Sequence, residues 1–262
     1  MSASFLSIAG VSKIYPTRDG EIFAVDNVSF DLTKSGFVSL LGPSGCGKST
    51  LLLMCAGLIP YNSGTISIAG KIVDKPYIDL GFIFQDANLL DWRTVLNNLM
   101  IQAEIRRMDE SSIRARALEL LGMVGLNGYE NRFPFELSGG MRQRVSICRA
   151  LVHDPPMLLM DEPFGALDAL TRDQLNLDLQ DIWLKSQKTI LFVTHSITEA
   201  VFLSDHIVVM TPRPGKVGAI IDIDLPRPRD FSIRETEAFG SYTKTIRGLF
   251  EDWGVLREHE HT

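Results

Sequence analysis

Phe37-Val-Ser-Leu-Leu-Gly-Pro-Ser-Gly-Cys-Gly-Lys-Ser-Thr50 is the stretch that decides the fold. Its first five residues are the short, nearly continuous apolar run that a strand buried on both faces carries. Gly42 to Ser49 then fits the spacing G-x-x-x-x-G-K-[ST], and Lys48 to Leu58 continues with a helical pattern. In a strand, glycine loop and helix so ordered, backbone N–H groups curl inward around a phosphate and the helix N-terminus adds its partial positive charge. Gly42, Pro43, Ser44, Gly45, Cys46, Gly47, Lys48, Ser49 and Thr50 are therefore expected to hold a nucleotide, Lys48 facing the β and γ phosphates and the Ser49 hydroxyl ligating Mg²⁺. The competing reading, a chance lysine after a glycine-rich turn, is disfavoured by the flanking strand and helix. By itself the loop says only nucleotide phosphate, since kinases, GTPases and motor ATPases share it.

A second signal lies downstream. Met157-Leu-Leu-Met160 is another wholly apolar run, and it ends directly in Asp161-Glu162. Carboxylates at the carboxyl end of a buried parallel strand stand where open α/β sheets bind their ligands. Successive strand residues point to opposite sides, so the two acids can do different work. Asp161 is expected to hold Mg²⁺, directly or through water, and Glu162 to act as general base on the attacking water. Taken alone, such a pair is more often solvated surface.

Around these signals, apolar runs at Phe37–Leu41, Met157–Met160 and Ile190–Thr194 with helical patterns between them predict a largely parallel sheet flanked by helices. The N-terminal part differs. Phe5–Ile14 and Phe23–Leu32, separated by Pro16-Thr-Arg-Asp-Gly20, read as an antiparallel hairpin, and Gly64–Gly70 reads as a further short strand. From Thr94 to about Leu126 the period becomes helical, with Ile113, Ala117, Leu120, Leu121 and Val124 on one face and Asp109 or Ser111 as N-cap. After Leu225-Pro-Arg-Pro-Arg229, Phe239, Tyr242, Ile246, Leu249, Phe250 and Trp253 form a closing helical stripe whose expected role is packing onto the core.

The chain has 262 residues, 45% hydrophobic and 22% charged, which excludes a disordered or fibrous class. No apolar run reaches the roughly 18–20 residues that a membrane-spanning helix needs, and Met1–Phe5 has no basic segment leading into an apolar one, so cytoplasmic residence is expected. A net charge of -6 argues against nucleic acid as a partner. Cys46, Cys55 and Cys148 form no C-x-x-C pair and read as small buried thiols. His259 and His261 read as a frayed tail rather than as metal ligands.

A third element narrows the family. Leu137-Ser-Gly-Gly-Met141 opens a helix, Arg142–Leu151, in which Val145, Cys148 and Leu151 keep helical spacing. Here the sequence resembles the ATP-binding cassette family, whose signature LSGGQ lies just ahead of the acidic strand. The order of motifs matches from about Leu6 to about Met210. By this resemblance Tyr15 stacks on adenine, Gln85 belongs to the Q-loop and helps to hold Mg²⁺, Asp168 belongs to the D-loop of Ala166-Leu167-Asp168, and His195 is the switch histidine on the γ phosphate. Ser138, Gly139 and Gly140 would meet a phosphate, and Met141 replaces the usual glutamine. The resemblance implies a homodimer that sandwiches two ATP molecules, each between one copy's phosphate loop and the other copy's signature helix.

It also implies a fold: α/β, a P-loop NTPase core with an N-terminal antiparallel β subdomain and an inserted α-helical subdomain. The expected division is about 1–88 and 156–225 for the core, about 89–155 for the helical signature subdomain and about 226–262 for a helical tail. Gln85–Thr94, Asp161–Arg172, Arg142 and Pro226–Arg229 are similar to the importer branch for nitrate, sulfonates and taurine, although Asp91 stands where many relatives carry proline. Such importers combine two copies of the ATPase with membrane permease subunits and an extracytoplasmic substrate-binding protein, at the cytoplasmic face of the bacterial inner membrane. A soluble ABC ATPase acting on ribosomes or DNA would show two cassettes, a long coiled coil or basic extensions. A nucleotide kinase would not need Leu137-Ser-Gly-Gly140, a GTPase would carry N-K-x-D, and an exporter would need its membrane domain on a separate chain.

Overall fold

The computed structural model describes residues 4–18 and 20–256; Asp19 of the hairpin turn, and His259 and His261, lie outside the described residues. Two compact units divide the chain: one is the N-terminal part through Ile78 together with the chain from Thr189 onward, the other is Asp79–Lys188.

In the first unit, β1 (Ser4–Thr17) and β2 (Gly20–Thr33) pair antiparallel, and β4 (Ser63–Ile68) and β5 (Lys71–Ile72) complete a four-stranded sheet in the order β2-β1-β4-β5. The hairpin arms run longer than their apolar pattern, because pairing continues past Ile14 through Tyr15↔Ile22 to Thr17↔Gly20. Leu6, Ile8, Val28, Phe30, Ile66 and Ile68 alternate along these strands and are buried, the period-2 pattern of a half-buried sheet.

The strand ahead of the glycine loop, β3 (Phe37–Leu41), is buried along its whole length and pairs parallel with β8 (Thr189–Thr194) and β9 (His206–Met210). β10 (Val217–Asp222) adds antiparallel to β9. Helix α1 (Lys48–Cys55) stops short of Leu58: Gly57 takes φ +69, and a Cβ there would stand 2.1 Å from the Lys75 carbonyl oxygen. The closing stripe forms α7 (Glu237–Asp252), which buries Phe239, Ile246 and Phe250, while the Trp253 ring lies so close over Gly218 that a Cβ there would come within 2.3 Å of it. The stripe packs onto the core, as its pattern predicts.

Two arginines of the Pro-Arg-Pro-Arg segment explain that segment physically. Arg229 is 2% exposed, and its Nη1 donates to the Val201, Phe202 and Ser204 carbonyls at 3.0, 2.9 and 2.8 Å, its Nη2 to the Leu225 carbonyl at 3.1 Å. Arg227 reaches the Leu203 carbonyl at 2.6 Å and the Asp205 carboxylate at 2.8 Å. Asp205 in turn accepts from the Phe37 N–H at 2.9 Å. The carbonyls of Val201, Phe202, Leu203 and Ser204 belong to the last turn of α6 (Ile197–Leu203) and the residue after it, the groups that a helix C-terminus leaves without intrahelical partners. Burial, and next to it the neighbouring Arg227, pull the Arg229 guanidinium down to about 10, so it stays charged at neutral pH.

The second unit joins a parallel strand pair, β6 (Gly81–Ile83) and β7 (Met157–Asp161), with α2 (Val95–Arg106), α3 (Glu110–Met123), α4 (Gly139–Leu151) and α5 (Ala169–Ser186). The predicted helical insertion is two helices, separated where Arg107 turns left-handed at φ +54. Of the two N-cap candidates Asp109 does the work, accepting from the Ser112 N–H at 2.7 Å, while the Ser111 hydroxyl donates to the same carboxylate. Ile113, Ala117, Leu120, Leu121 and Val124 are all buried. The turn that carries Asp91 is fixed from α2: the Asn98 amide accepts from the Leu90 N–H at 2.8 Å and donates to the Leu90, Arg93 and Thr94 carbonyls. All three cysteines are buried, and burial pushes the Cys55 and Cys148 thiols up to about 12.

Replacing Arg229 by methionine would leave four carbonyls without this charged donor. Hydrogen bonds to charged groups contribute about 1.5–3 kcal/mol each and are not additive, so a loss of about 3 kcal/mol is expected. Calorimetry should register it as a fall of roughly 6–12 °C in the unfolding midpoint.

Candidate functional site

The first unit supplies a phosphate cradle. β3 ends at Leu41, and Gly45 and Gly47 then turn the backbone left-handed at φ +76 and +97. Glycine is required there on conformational grounds, and at Gly47 also on space, since a Cβ would meet the Ala24 carbonyl oxygen at 2.4 Å. Lys48, the first residue of α1, is 4% exposed, and its Nζ donates to the Gly42 and Pro43 carbonyls at 2.9 and 3.1 Å. An ammonium folded back over a loop with successive left-handed glycines, at a helix N-terminus, is the donor set that a phosphate chain fits. Ser44, Gly45 and Ser49 lie on the exposed side of the loop, while Pro43, Gly47 and Thr50 are half-buried and Cys46 is buried.

The loop is braced from behind by a segment that the sequence gives no reason to single out. Gly215 lies so close that a Cβ on it would stand 1.9 Å from the Cys46 carbonyl oxygen, and Gly215 is itself bonded into β2, its oxygen accepting from the Asp26 N–H at 2.9 Å. In the same unit Tyr15 projects from β1 with 39% of its surface exposed, the Lys13 ammonium 5.0 Å from its ring centroid. His195 is exposed directly after β8. Its neighbours hold the turn: the Thr194 hydroxyl donates to the buried Glu199 carboxylate at 2.6 Å and accepts from the Ser196 N–H at 3.0 Å, while Ser196 caps α6. Thr194 and Glu199 had no motif to announce them; a hydroxyl at the end of an apolar strand, five residues before an acid, was the available signal.

The second unit carries the acids and a second anion-seeking element. Asp161 closes β7, and Glu162 follows with φ +44. A left-handed glutamate costs on the order of 1 kcal/mol, and such outliers gather at functional sites. The turn is closed by the Gly165 N–H donating to the Glu162 carbonyl at 3.0 Å. Asp168 is the N-cap of α5, accepting from the Thr171 N–H at 3.0 Å, and hydrogen bonds from the Thr171 hydroxyl and N–H hold its carboxyl below the usual range. Gln85 is exposed two residues beyond β6, and a Cβ on Gly165 would stand 3.6 Å from its amide nitrogen.

Ser138 is exposed and caps α4, its hydroxyl oxygen accepting from the Met141 N–H at 3.3 Å. The hydroxyl hydrogen therefore remains available to an outside acceptor. Because Met141 enters this cap through its backbone, exchange of glutamine for methionine does not touch the cap. Gly140 is glycine for space: a Cβ would meet the Thr171 side chain at 2.4 Å. Arg142 folds onto the Leu137 carbonyl at 2.7 Å and fixes the approach to Ser138.

Residues 25–165 match the family model described as ABC transporter. This chain belongs to the ABC transporter family. A taurine import ATP-binding protein of Rhizobium johnstonii is 48% identical, over 96% of this chain and 98% of its own. A bicarbonate transport ATP-binding protein of a Synechocystis species is 43% identical, over 87% of this chain and 82% of its own. Among solved structures, a dimeric post-hydrolysis state of an ATP-binding cassette bound to ADP and Pi superposes with a TM-score of 0.74 at 32% identity, over 84% of this chain and all of the other. The chain is thus an ABC ATPase with the P-loop fold expected of it, and it binds nucleotide.

Substituting Gly215 by alanine in this ABC cassette must displace the phosphate loop or the turn behind it. We expect at least tenfold weaker nucleotide binding, a loss of about 1.4 kcal/mol, read by titration with a fluorescent ATP analogue; unchanged affinity would show that the loop does not lean on Gly215.

Proposed function

We propose that this chain is the ATP-hydrolysing subunit of an importer for a small anion, working as a homodimer on separate permease subunits. The observation that carries the reading is that one chain holds two anion-seeking elements in different units: a lysine-bearing glycine loop, and a serine-capped helix tip whose hydroxyl hydrogen is available outward. One triphosphate calls for the first alone. A pair of copies, each lending its helix tip to the nucleotide on the other's loop, uses both, and the dimeric cassette in the solved relative supports that arrangement.

In this reading Lys48 and the loop N–H groups neutralise the β and γ phosphates, Tyr15 stacks on adenine, and His195 holds the γ phosphate after β8. Glu162 takes a proton from the attacking water. Mg²⁺ would be held by the Ser49 hydroxyl, the Asp161 carboxylate and the Gln85 amide oxygen, hard oxygen ligands of the kind it takes, and when bound it would supply charge neutralisation at the phosphates. Asp168, by capping α5, keeps the segment after Glu162 in place.

Among the described residues no helix is long and apolar enough to cross a membrane; relatives named as import and transport ATP-binding proteins support a role beside separate membrane subunits, and in this reading the chain sits at the cytoplasmic face of the membrane against the permease, with an extracytoplasmic binding protein delivering the solute. A groove of about 370 Å³ beside the Gln85 segment, lined by Leu80, Phe82, Phe84, Leu90 and Ile101 among others, offers apolar surface for a permease loop. Relatives at 48% and 43% identity are named for taurine and for bicarbonate. Cargo choice therefore belongs to the partner subunits. The helical region 89–155 serves in this scheme as the signature-bearing subdomain.

Glu162→Gln should keep ATP binding yet turn over 10²–10⁴-fold more slowly, roughly the contribution of a general base, and accumulate a nucleotide-bound dimer on size exclusion; near-normal steady-state turnover would remove Glu162 from that role. Ser138→Arg should abolish hydrolysis while leaving nucleotide binding intact. Mixed with Lys48→Ala, it should recover activity from the one composite site that has both an intact loop and an intact helix tip, and recovery of nothing at any mixing ratio would count against shared sites.

A further inference from the structure

Helix α4 grips the segment around Gln85 by its backbone. The Gln143 amide donates to the Phe84 carbonyl at 3.3 Å, just before Gln85. One and a half turns further along the helix, Arg149 spreads its guanidinium fork over two more carbonyls of the segment, Nη2 to Ala87 at 2.8 Å and Nη1 to Asn88 at 2.6 Å. Gln85 is thus bracketed, with helix-borne donors on either side of it. Asn88, where the second grip falls, takes the left-handed φ +46, a conformation that a non-glycine residue holds at a cost and that its surroundings must enforce.

Arg149 forms no salt bridge among the described residues, and burial lowers its guanidinium pKa. Desolvating a cation for two neutral carbonyls is expensive, and the planar two-pronged donor is the feature that lysine could not reproduce. The groups it meets belong to no helix or strand and carry no charge; what they share is that they lie two and three residues after Gln85. From these contacts we infer that Arg149 is a positioning residue for Gln85: it locks the 84–88 segment to the signature helix, so that the Gln85 amide oxygen is presented to the metal in a fixed place and moves only when α4, with Ser138 at its tip, moves. Gln143 is the weaker second hold. The inference rests on the reading of Gln85 as a ligand to Mg²⁺ given above.

The test uses the full chain with ATP and Mn²⁺ in place of Mg²⁺, Mn²⁺ binding being followed by electron paramagnetic resonance, beside metal-free nucleotide binding and a thermal melt. Arg149→Ala should weaken Mn²⁺ binding roughly ten- to a hundredfold, the usual penalty for losing an outer-shell partner of a metal ligand, with metal-free nucleotide affinity unchanged. Arg149→Lys, which keeps the charge and the stem but not the fork, should fall between wild type and alanine, and it carries the test if the alanine variant does not fold. Gln85→Ala runs in parallel. If it weakens Mn²⁺ binding and folded Arg149 variants do not, the positioning role is overturned while Gln85 keeps its place; if Gln85→Ala has no effect, the ligand reading fails and takes the inference with it.

Discussion

Burying Lys48 to 4% exposure obliges the chain to meet its ammonium with oxygen, and the Gly42 and Pro43 carbonyls at 2.9 and 3.1 Å do so from within the same loop. A loop that turns its carbonyls onto its own lysine has to reverse direction within a few residues, hence the left-handed glycines at 45 and 47. It must also be held from outside, hence the close approach of Ala24 and Gly215. The buried strand β3 and the helix α1 fix the two ends. Charge, backbone conformation and packing thus converge on one short segment, and a phosphate chain is the ligand that answers all three.

The second unit solves a different problem with helix ends. Ser138 caps α4 and Asp168 caps α5, so both helices begin with a side-chain oxygen on an N–H of the first turn. The two caps have unlike consequences. A carboxylate cap such as Asp168 is an acceptor only and repels phosphate, whereas a hydroxyl cap accepts from the helix and still donates outward. Serine at the tip of α4 thus leaves a donor where aspartate at the tip of α5 leaves only acceptors.

What could be read in the sequence was whatever is written locally. The strand, glycine loop and helix at Phe37–Leu58, the apolar strand running into Asp161-Glu162, and the stripe of α7 each occupy adjacent residues, and periodicity or spacing suffices for them. The devices that hold these parts in place are spread along the chain and had no such mark. Arg229 meets carbonyls of residues 201 to 204 because the chain folds back on α6; read alone, Pro-Arg-Pro-Arg is only a turn-rich cationic patch. Thr194 looked like the last residue of a strand, and its link to Glu199 follows from the helix geometry after it. The break at Arg107 escaped the periodicity because α2 and α3 carry similar apolar spacing on either side. The ends of the hairpin arms were missed for the opposite reason: Tyr15↔Ile22 pairing needs no burial to persist.

The contact between Gly215 and Cys46 ties the shape of the phosphate loop to a residue some 170 positions further along. During synthesis the loop emerges from the ribosome long before the turn that backs it. A nascent chain can therefore hold the complete glycine motif and still lack the backing that the Gly215 turn gives it.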